Sequence, residues 1–396
     1  MIKFTAKNPR AMLKKSHFIL KALLFSYLNK FRYYFLIIVS FTFISCGAGK
    51  AKKSASIQVI FLDDYIIPAE QFMGDEEIGG LSGIDFDGEN FYVVCDAPSS
   101  PRFYQINIKT SLQQIDTIVF EKQIELQNTS AFIKNNRFDL ESILYNAEKN
   151  QFILSSEGSI KNEKNPTIFS IDAEGNYQSH YQLPSYFSAE GDQHPRHNGV
   201  FEGLSHAINK HGIWTATELP LTEDGPQPKL YRTKSPVRFT YFNEANEAEF
   251  QFSYLLEPIQ KIPYLPFSIN GVTDILEIAP KQFLVLERAF SAGRGKRANS
   301  VLLFKADATN ASNTLAIEQL KGKMKKEIIP ATKELIFNFK QIRKQLQQQR
   351  IDNIEGICFG PKLLNGNASI FVISDNNFNS FAQQINQVIW LELVMP

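Results

Sequence analysis

FEGLSHAINKHGIWTATE (201–218) opens on an acid and an apolar run, crosses an Asn-Lys-His-Gly turn, and enters strand-forming residues that end on Glu218. Four more stretches share this design: LSGIDFDGENFYVVCD (81–96), LESILYNAEKNQFILSSE (140–157), VTDILEIAPKQFLVLE (272–287) and IEGICFGPKLLNGNASIFVISD (354–375). Each ends on a carboxylate, namely Asp96, Glu157, Glu218, Glu287 and Asp375, at spacings of 61, 61, 69 and 88 residues. A repeat of that length with β-type runs in every unit is the signature of a β-propeller, one four-stranded blade per repeat. The expected fold is all-β, with five visible repeats and five or six blades.

Further strand-like runs follow the hairpins: RFYQINI (102–108), DTIVFEKQIEL (116–126), PTIFSID (166–172), PKLYRTK (228–234), SVLLFKAD (300–307) and QVIWLELV (387–394). The last repeat holds three runs before the chain ends. IQVIFLDDYII (57–67) precedes the first repeat and can supply the missing outer strand, closing the ring and hiding a sheet edge. Two segments stand outside the pattern. Residues 186–199 form a polar loop with His194, Arg196 and His197. Residues 318–350 end in KQIRKQLQQQR and read as a surface helix.

The hairpin sets the expected site. Antiparallel pairing brings the start of the first strand beside the end of the second. Glu141, Glu202 and Glu355 therefore face Glu157, Glu218 and Asp375, while Ser82 and Thr273 hold the matching positions elsewhere, with Asp274 beside Thr273. If these strands line the axis, Asp96, Glu141, Glu157, Glu202, Glu218, Glu287, Glu355 and Asp375 gather in one funnel. So many like charges raise one another's pKa and call for cations or arginines. A bland alternative has the acids only bonding strand-end amides and arginines. An all-oxygen donor set suits a hard cation such as calcium, which can polarise an ester or phosphoryl oxygen. Asp96, Glu141, Glu157 and Glu287 are the expected metal ligands. Glu202, Glu218, Glu355 and Asp375 are the expected catalytic acids. Arg102, Arg137 and Arg288 lie near strand ends and can clasp a phosphate or carboxylate, or simply neutralise acids.

Other chemistries are poorly represented. The chain holds no Gly-x-Ser-x-Gly elbow and no His-Glu-x-x-His. Ser205–His206 sits inside a strand run, and SAGRG (291–295) lacks the Lys-Ser/Thr of a phosphate loop.

The first 45 residues carry eight Lys or Arg and no acid, and end in the apolar run Tyr33–Ile44. This reads as a secretory signal of the lipoprotein type, with Cys46 lipidated as the first mature residue. Phe43 departs from the small aliphatic residue usual three places before such a Cys, and Met12 is an alternative start. An uncleaved anchor helix over about 20–44 is the alternative, interrupted by Lys30 and Arg32. Residues 46–56 read as a flexible tether and 57–396 as the propeller domain. Without the leader, 34 basic residues stand against 41 acidic ones. That balance, with no basic patch interleaved with aromatics, argues against nucleic acid. Cys95 and Cys358 fall in the first and last repeats, neighbours in a closed ring, and a bond between them is an open possibility.

The same segments resemble the phytase-like family, also called the esterase-like activity of phytase domain. The resemblance is carried by GGLSGIDFDGENFYVVCDAPSSPRFYQI, FDLESILY with FILSSEG, NGVFEGLSHAINKHGIWTATE, GVTDILEI with FLVLERAFSAGRG, and DNIEGICFGPKL with IFVISDNNFN, across most of 75–394. It implies a secreted or periplasmic propeller, often membrane-tethered, with hydrolase activity. Calcium-dependent propeller phytases carry an Asp-Asp-Pro signature; here Asp63–Asp64 is followed by Tyr65. The expectation is thus a monomeric hydrolase of small phosphoesters or carboxylesters. The alternative is a non-catalytic surface propeller that binds a ligand or partner.

Overall fold

The computed structural model describes residues 57–190, 195–208, 211–325, 327–379 and 384–395. The leader, Cys46, the tether and His194 lie outside the described residues.

Apart from one five-residue helix and a few short 3-10 turns, the regular structure of the described chain is strand. β1 (Gln58–Ile66) is followed by a short pair, β2 (Phe72–Met73) and β3 (Glu76–Glu77). Blade one is β4 (Leu81–Phe86), β5 (Phe91–Cys95), β6 (Arg102–Ser111) and β7 (Gln114–Glu125). A five-residue helix, α1 (Ala131–Asn135), leads to blade two: β8 (Leu140–Asn146), β9 (Gln151–Ser156), β10 (Thr167–Ile171) and β11 (Tyr177–His180). Blade three is β12 (Phe201–His206), β13 (Gly212–Thr217), β14 (Pro236–Asn243) and β15 (Ala248–Leu255). Blade four is β16 (Ser268–Ala279), β17 (Gln282–Ser291), β18 (Asn299–Asp307) and β19 (Thr332–Asn338). Blade five is β20 (Asn353–Phe359), β21 (Ala368–Asp375) and β22 (Gln387–Val394), with β1 outermost.

Five blades are therefore present, and the N-terminal strand closes the ring. Every blade is an antiparallel meander from the axis outward. The first strands β4, β8, β12, β16 and β20 pack on one another in that order, and β20 returns to β4. Alternate side chains of each sheet fill the gaps between blades. Leu81, Ile84, Val93 and Tyr104 of blade one meet Phe371, Ile373 and Trp390 of blade five. Trp214, Phe239 and Phe252 of blade three meet Val272, Phe283 and Val285 of blade four.

At the axis the inner strands come very close. A Cβ on Gly83 would lie 2.7 Å from the Glu141 carbonyl oxygen, and one on Gly203 would lie 2.9 Å from the Ile275 amide nitrogen. Asp274 ties three inner strands together. It is buried on β16 and accepts the amides of Ile275 (2.8 Å) and, across on β20, Ile357 (2.7 Å), with a further bond from Leu204 on β12.

Two expectations need correction. PKLYRTK (228–234) is not a strand: the third strand of blade three begins at Pro236, and Leu230 and Tyr231 are exposed. Nor do residues 318–350 form a surface helix among the described residues. ELIFN within β19 supplies the outer strand of blade four, because its branched and aromatic residues suit a ladder with β18. Ile342 and Leu346 then turn into the core beside β1, and the buried Asp64 accepts the Gln347 amide at 3.1 Å.

Cys95 and Cys358 are both buried and free, so the possible bond is not formed. Burial pushes the Cys95 thiol up to about 12, which keeps it protonated and unreactive.

The ring closure is testable. Removing Gln58–Ile66 strips β22 of its outer partner along eight register pairs. We expect loss of a cooperative thermal transition and aggregation through the bared edge. A truncated protein that stays monomeric and melts at the original temperature would contradict this closure.

Candidate functional site

The site begins with a repeated defect in the ladder. On each inner strand the register with its neighbour slips at one residue: Ser82, Glu141, Glu202, Thr273 and Glu355. Such a bulge bends the strand and re-aims one side chain. Ser82 and Thr273 turn to the next blade, donating to the carbonyls of Leu140 (3.1 Å) and Ile354 (3.2 Å). Glu141, Glu202 and Glu355 instead line a central cavity of about 740 Å³.

The second strands add another tier. Asp96, Glu157 and Glu218 follow the ends of β5, β9 and β13, and their amides bond back to Gly80, Asp139 and Val200. Asp375 ends β21 opposite Asn353. In blade four the equivalent position, opposite Gly271, is Arg288. All five side chains line the cavity.

Glu287 does not join them, contrary to expectation. Strand alternation turns it to the other side of the sheet. There it is buried, accepting from Tyr254 Oη (2.7 Å), the Glu257 amide (2.9 Å), Asn270 Nδ2 (2.9 Å) and Lys333 Nζ (2.6 Å). Its donors are all within this core network, so it is structural. The same one-residue shift makes Arg288 the cation of the ring.

Arg102 is also redirected. It is fully buried in blade one, donating to Tyr104 Oη (2.7 Å) and the carbonyls of Ser100 and Glu77 (2.9 Å each). Arg137 is exposed and lies outside the cavity lining. Of the three arginines, only Arg288 reaches the site.

Asp139 was missed by the repeat reading. One carboxylate oxygen from each of Asp96, Asp139 and Glu141 lies within 4.8 Å of the others, and Glu141, Glu157 and Glu202 form a second such set. Asp139 stands two residues before the bulge, where the other repeats have Gly80, Val200, Gly271 and Asn353. Comparing that column would have flagged Asp139 and Asn353 as its polar members.

Arg288 organises the opposite side. Its Nη1 donates to Asn353 Oδ1 (2.5 Å), and its Nη2 lies 3.2 Å from Glu355 and 3.7 Å from Glu218. Asn353 Nδ2 also donates to Glu355 (2.7 Å). Glu157 accepts the amides of Gly199 (2.6 Å) and Val200, joining blade two to blade three. A second ion pair, Arg350 with Asp352 at 3.3 Å, also lines the cavity and is buried.

The electrostatics follow from burial and crowding. Desolvation, then neighbouring carboxylates, holds Glu141, Glu202 and Asp375 well above the ordinary range. Asp96 is raised by burial and by Asp139. Glu157 is pushed up to about 8 and Glu218 to about 7, burial leading in both. Burial works against the Arg288 charge, but Glu355, Glu218, Glu202 and Asp375 outweigh it. The cavity floor can thus hold protons, a cation, or both.

Ser205 and His206 are not a nucleophile and its base. Ser205 Oγ donates to the His206 carbonyl (3.1 Å) and accepts the Glu277 amide (2.8 Å). His206 ends β12, four residues past the Glu202 bulge, and pairs with Asp85 at 3.2 Å.

The family model described as "Phytase-like: Esterase-like activity of phytase" matches residues 76–378. The chain belongs to the phytase-like family. The matched span runs from the first blade through the Asp375 end of β21 and so contains every carboxylate of the ring. No curated protein gives a significant sequence match. Similar solved structures include the Dos1 propeller, at 11% identity over 79% of this chain and 67% of that one, TM-score 0.30. The Malassezia sympodialis allergen Mala s 1 is similar at 11% identity, covering 78% and 77%, TM-score 0.36. The catalytic domain of the Coprinopsis cinerea GH62 α-L-arabinofuranosidase is similar at 6%, covering 85% and 97%, TM-score 0.41.

The ring predicts a pH response. Glu157 and Glu218 have folded-state values above their ordinary 4.5, so the folded chain binds more protons than the unfolded one between about pH 4.5 and 8. Their contribution is complete below 4.5 and lost as pH rises through 7 and 8. Chelator-treated protein should therefore melt at a higher temperature at pH 5 than at pH 8. Arg288→Gln, which removes the counter-charge, should widen that gap. A gap that is absent, or unchanged in the variant, would count against a ring held by Arg288.

Proposed function

We propose that this phytase-like propeller is an exported ester hydrolase acting on small phosphoesters or carboxylesters at the acidic end of its channel, with a divalent cation, most plausibly calcium. The observation that carries this is the meeting of Asp96, Asp139, Glu141, Glu157 and Glu202 in two overlapping oxygen clusters. The family membership supports hydrolytic chemistry in the same region.

The donor set fits a hard cation: all ligands are carboxylate oxygens, and Arg288, the nearest cation, is turned to Glu355 and Glu218. Asp96, Asp139, Glu141 and Glu157 would hold the ion, with Glu202 beside them as a catalytic acid. When bound, it would supply Lewis-acid polarisation of an ester or phosphoryl oxygen. The chain's own groups provide the rest. Arg288 offers a planar fork at the cavity wall for an anionic oxygen. A carboxyl kept protonated by burial, Glu202 foremost, can deliver a proton to a leaving oxygen. Glu218, nearer neutral pH, can take one from water. Glu355 and Asn353 hold Arg288 in place on the far wall, and Asp375 stands near it as a further acid.

The reading includes export through the leader and anchoring through Cys46. Its rival is a propeller that binds a ligand without turnover; the partly hydrophobic cavity wall built by Phe267, Ile269 and Phe290 suits that too.

Turnover of generic phosphomonoester, phosphodiester and carboxylester substrates, with calcium and with chelator, tests the proposal. One class should be hydrolysed in a calcium-dependent manner. Glu202→Gln should lower kcat by about 10²–10⁴ fold, the usual range for a general acid. No turnover of any class, with a melting temperature that still rises with calcium, would favour the binding module. A melting temperature indifferent to both would remove the metal as well.

A further inference from the structure

We infer that blade four carries a docking surface for an anionic lipid bilayer, formed by the loop KIPYLPF (261–267) and the basic turn 291–297 beneath it. Four large apolar side chains project from seven residues: Ile262, Tyr264, Leu265 and Phe267 are 66%, 71%, 59% and 56% exposed. So dense an apolar display on a protein surface marks an interaction site.

The loop is held in shape. The Tyr264 amide donates to the Ala292 carbonyl (2.8 Å), and the Ala292 amide returns a bond to Phe267 (3.0 Å). Lys261 Nζ donates to the carbonyls of Arg297 (2.8 Å) and Asn299 (2.6 Å). Arg294 Nε donates to the Ile262 carbonyl (2.6 Å), and its guanidinium lies 4.3 Å from the Tyr264 ring centre. Gly293, at φ +82°, sits where a side chain would strike Tyr264 and Leu265. The apolar tips are thus presented without a core to bury them.

The charges around them share one sign. Lys261, Arg294, Lys296, Arg297, Lys340 and Arg343 surround the loop, and Arg343 bonds the Lys296 carbonyl at 2.9 Å. Stretches 261–273, 288–306 and 335–351 contain no acid at all, in a domain where 31 Lys and Arg face 41 Asp and Glu. Crowding by these cations, after burial, pushes the Lys261 ammonium down to about 8. Apolar tips that enter an acyl boundary, a tyrosine at headgroup level and cations at phosphate height are what an anionic bilayer recognises. Among the described residues no helix is long and apolar enough to cross a membrane. Phe267 and Lys296 also line the mouth of the acidic cavity, so docking would turn that mouth toward the lipid surface. The inference does not depend on the hydrolase reading.

Residues 57–396 hold every strand of the closed ring and form one compact unit, so this domain can be tested without the leader. It would be sedimented with phosphatidylcholine vesicles containing about one third phosphatidylglycerol, and with pure phosphatidylcholine. Binding should appear only with the anionic vesicles and fall steeply with salt. Each cation near such a surface is worth roughly fivefold in binding. Lys296→Glu with Arg297→Glu should therefore weaken it by at least about tenfold, and Ile262→Ser with Leu265→Ser should do the same at low salt. Should either double variant fail to fold, lipid composition and salt dependence of the unaltered domain still decide. No binding to anionic vesicles, or equal binding to both kinds, would overturn the inference. So would dimerisation abolished by Leu265→Ser without vesicle binding, which would assign the face to a second copy.

Discussion

Mutual repulsion among carboxylates at the propeller axis is the constraint on which the rest of the site depends. Three inner-strand bulges and four second-strand ends deliver seven acids to one cavity, and Asp139 stands beside Asp96 and Glu141. Burial makes each charge harder to hold, and crowding makes it harder still. The chain answers in three ways. Burial favours the protonated form of the deepest acids, Arg288 neutralises one wall, and backbone amides of Gly199, Val200 and Asn377 bond Glu157 and Asp375. The wall formed by blades one to three has no arginine among its lining residues. That is where the two oxygen clusters lie, and where added positive charge would have most effect.

The repeat was legible because blade geometry imposes it. Each hairpin needs a bulge, a turn and a strand of fixed alternation, so acids at matched positions had to converge. Glu202 with Glu218 and Glu141 with Glu157 could be placed together from spacing alone. Glu287 could not, since the extra irregularity between Glu277 and Ala279 shifts blade four by one residue. A one-residue shift exchanges the faces of a strand, so Arg288 took the place expected of its neighbour. Asp139 is not legible there because it precedes the hydrophobic pattern that marks the repeat. The outer strands were the least legible. β19 lies in a Lys-rich stretch whose polarity suggested a helix, and the true third strand of blade three starts two residues after the segment that looked most like it.

The ring and the blade-four face divide the labour of the molecule by charge. One face of blade four sends Arg288 to the axis, while its loops carry cations and apolar tips outward. The opposite side of the same strand buries Glu287 with Lys333 to lock blade four onto blade three. Ring closure by β1 and the Asp274 bonds across three inner strands keep these groups in fixed relation.

The proposed hard cation would bind at the two oxygen clusters. Calorimetric titration of calcium into chelator-treated domain tests this most directly. Saturable binding at a defined stoichiometry is expected, strongly weakened when Glu141 and Glu202 are both changed to Gln while the fold is kept. Absence of saturable heat in the unaltered protein, or the same isotherm from the double variant, would contradict it.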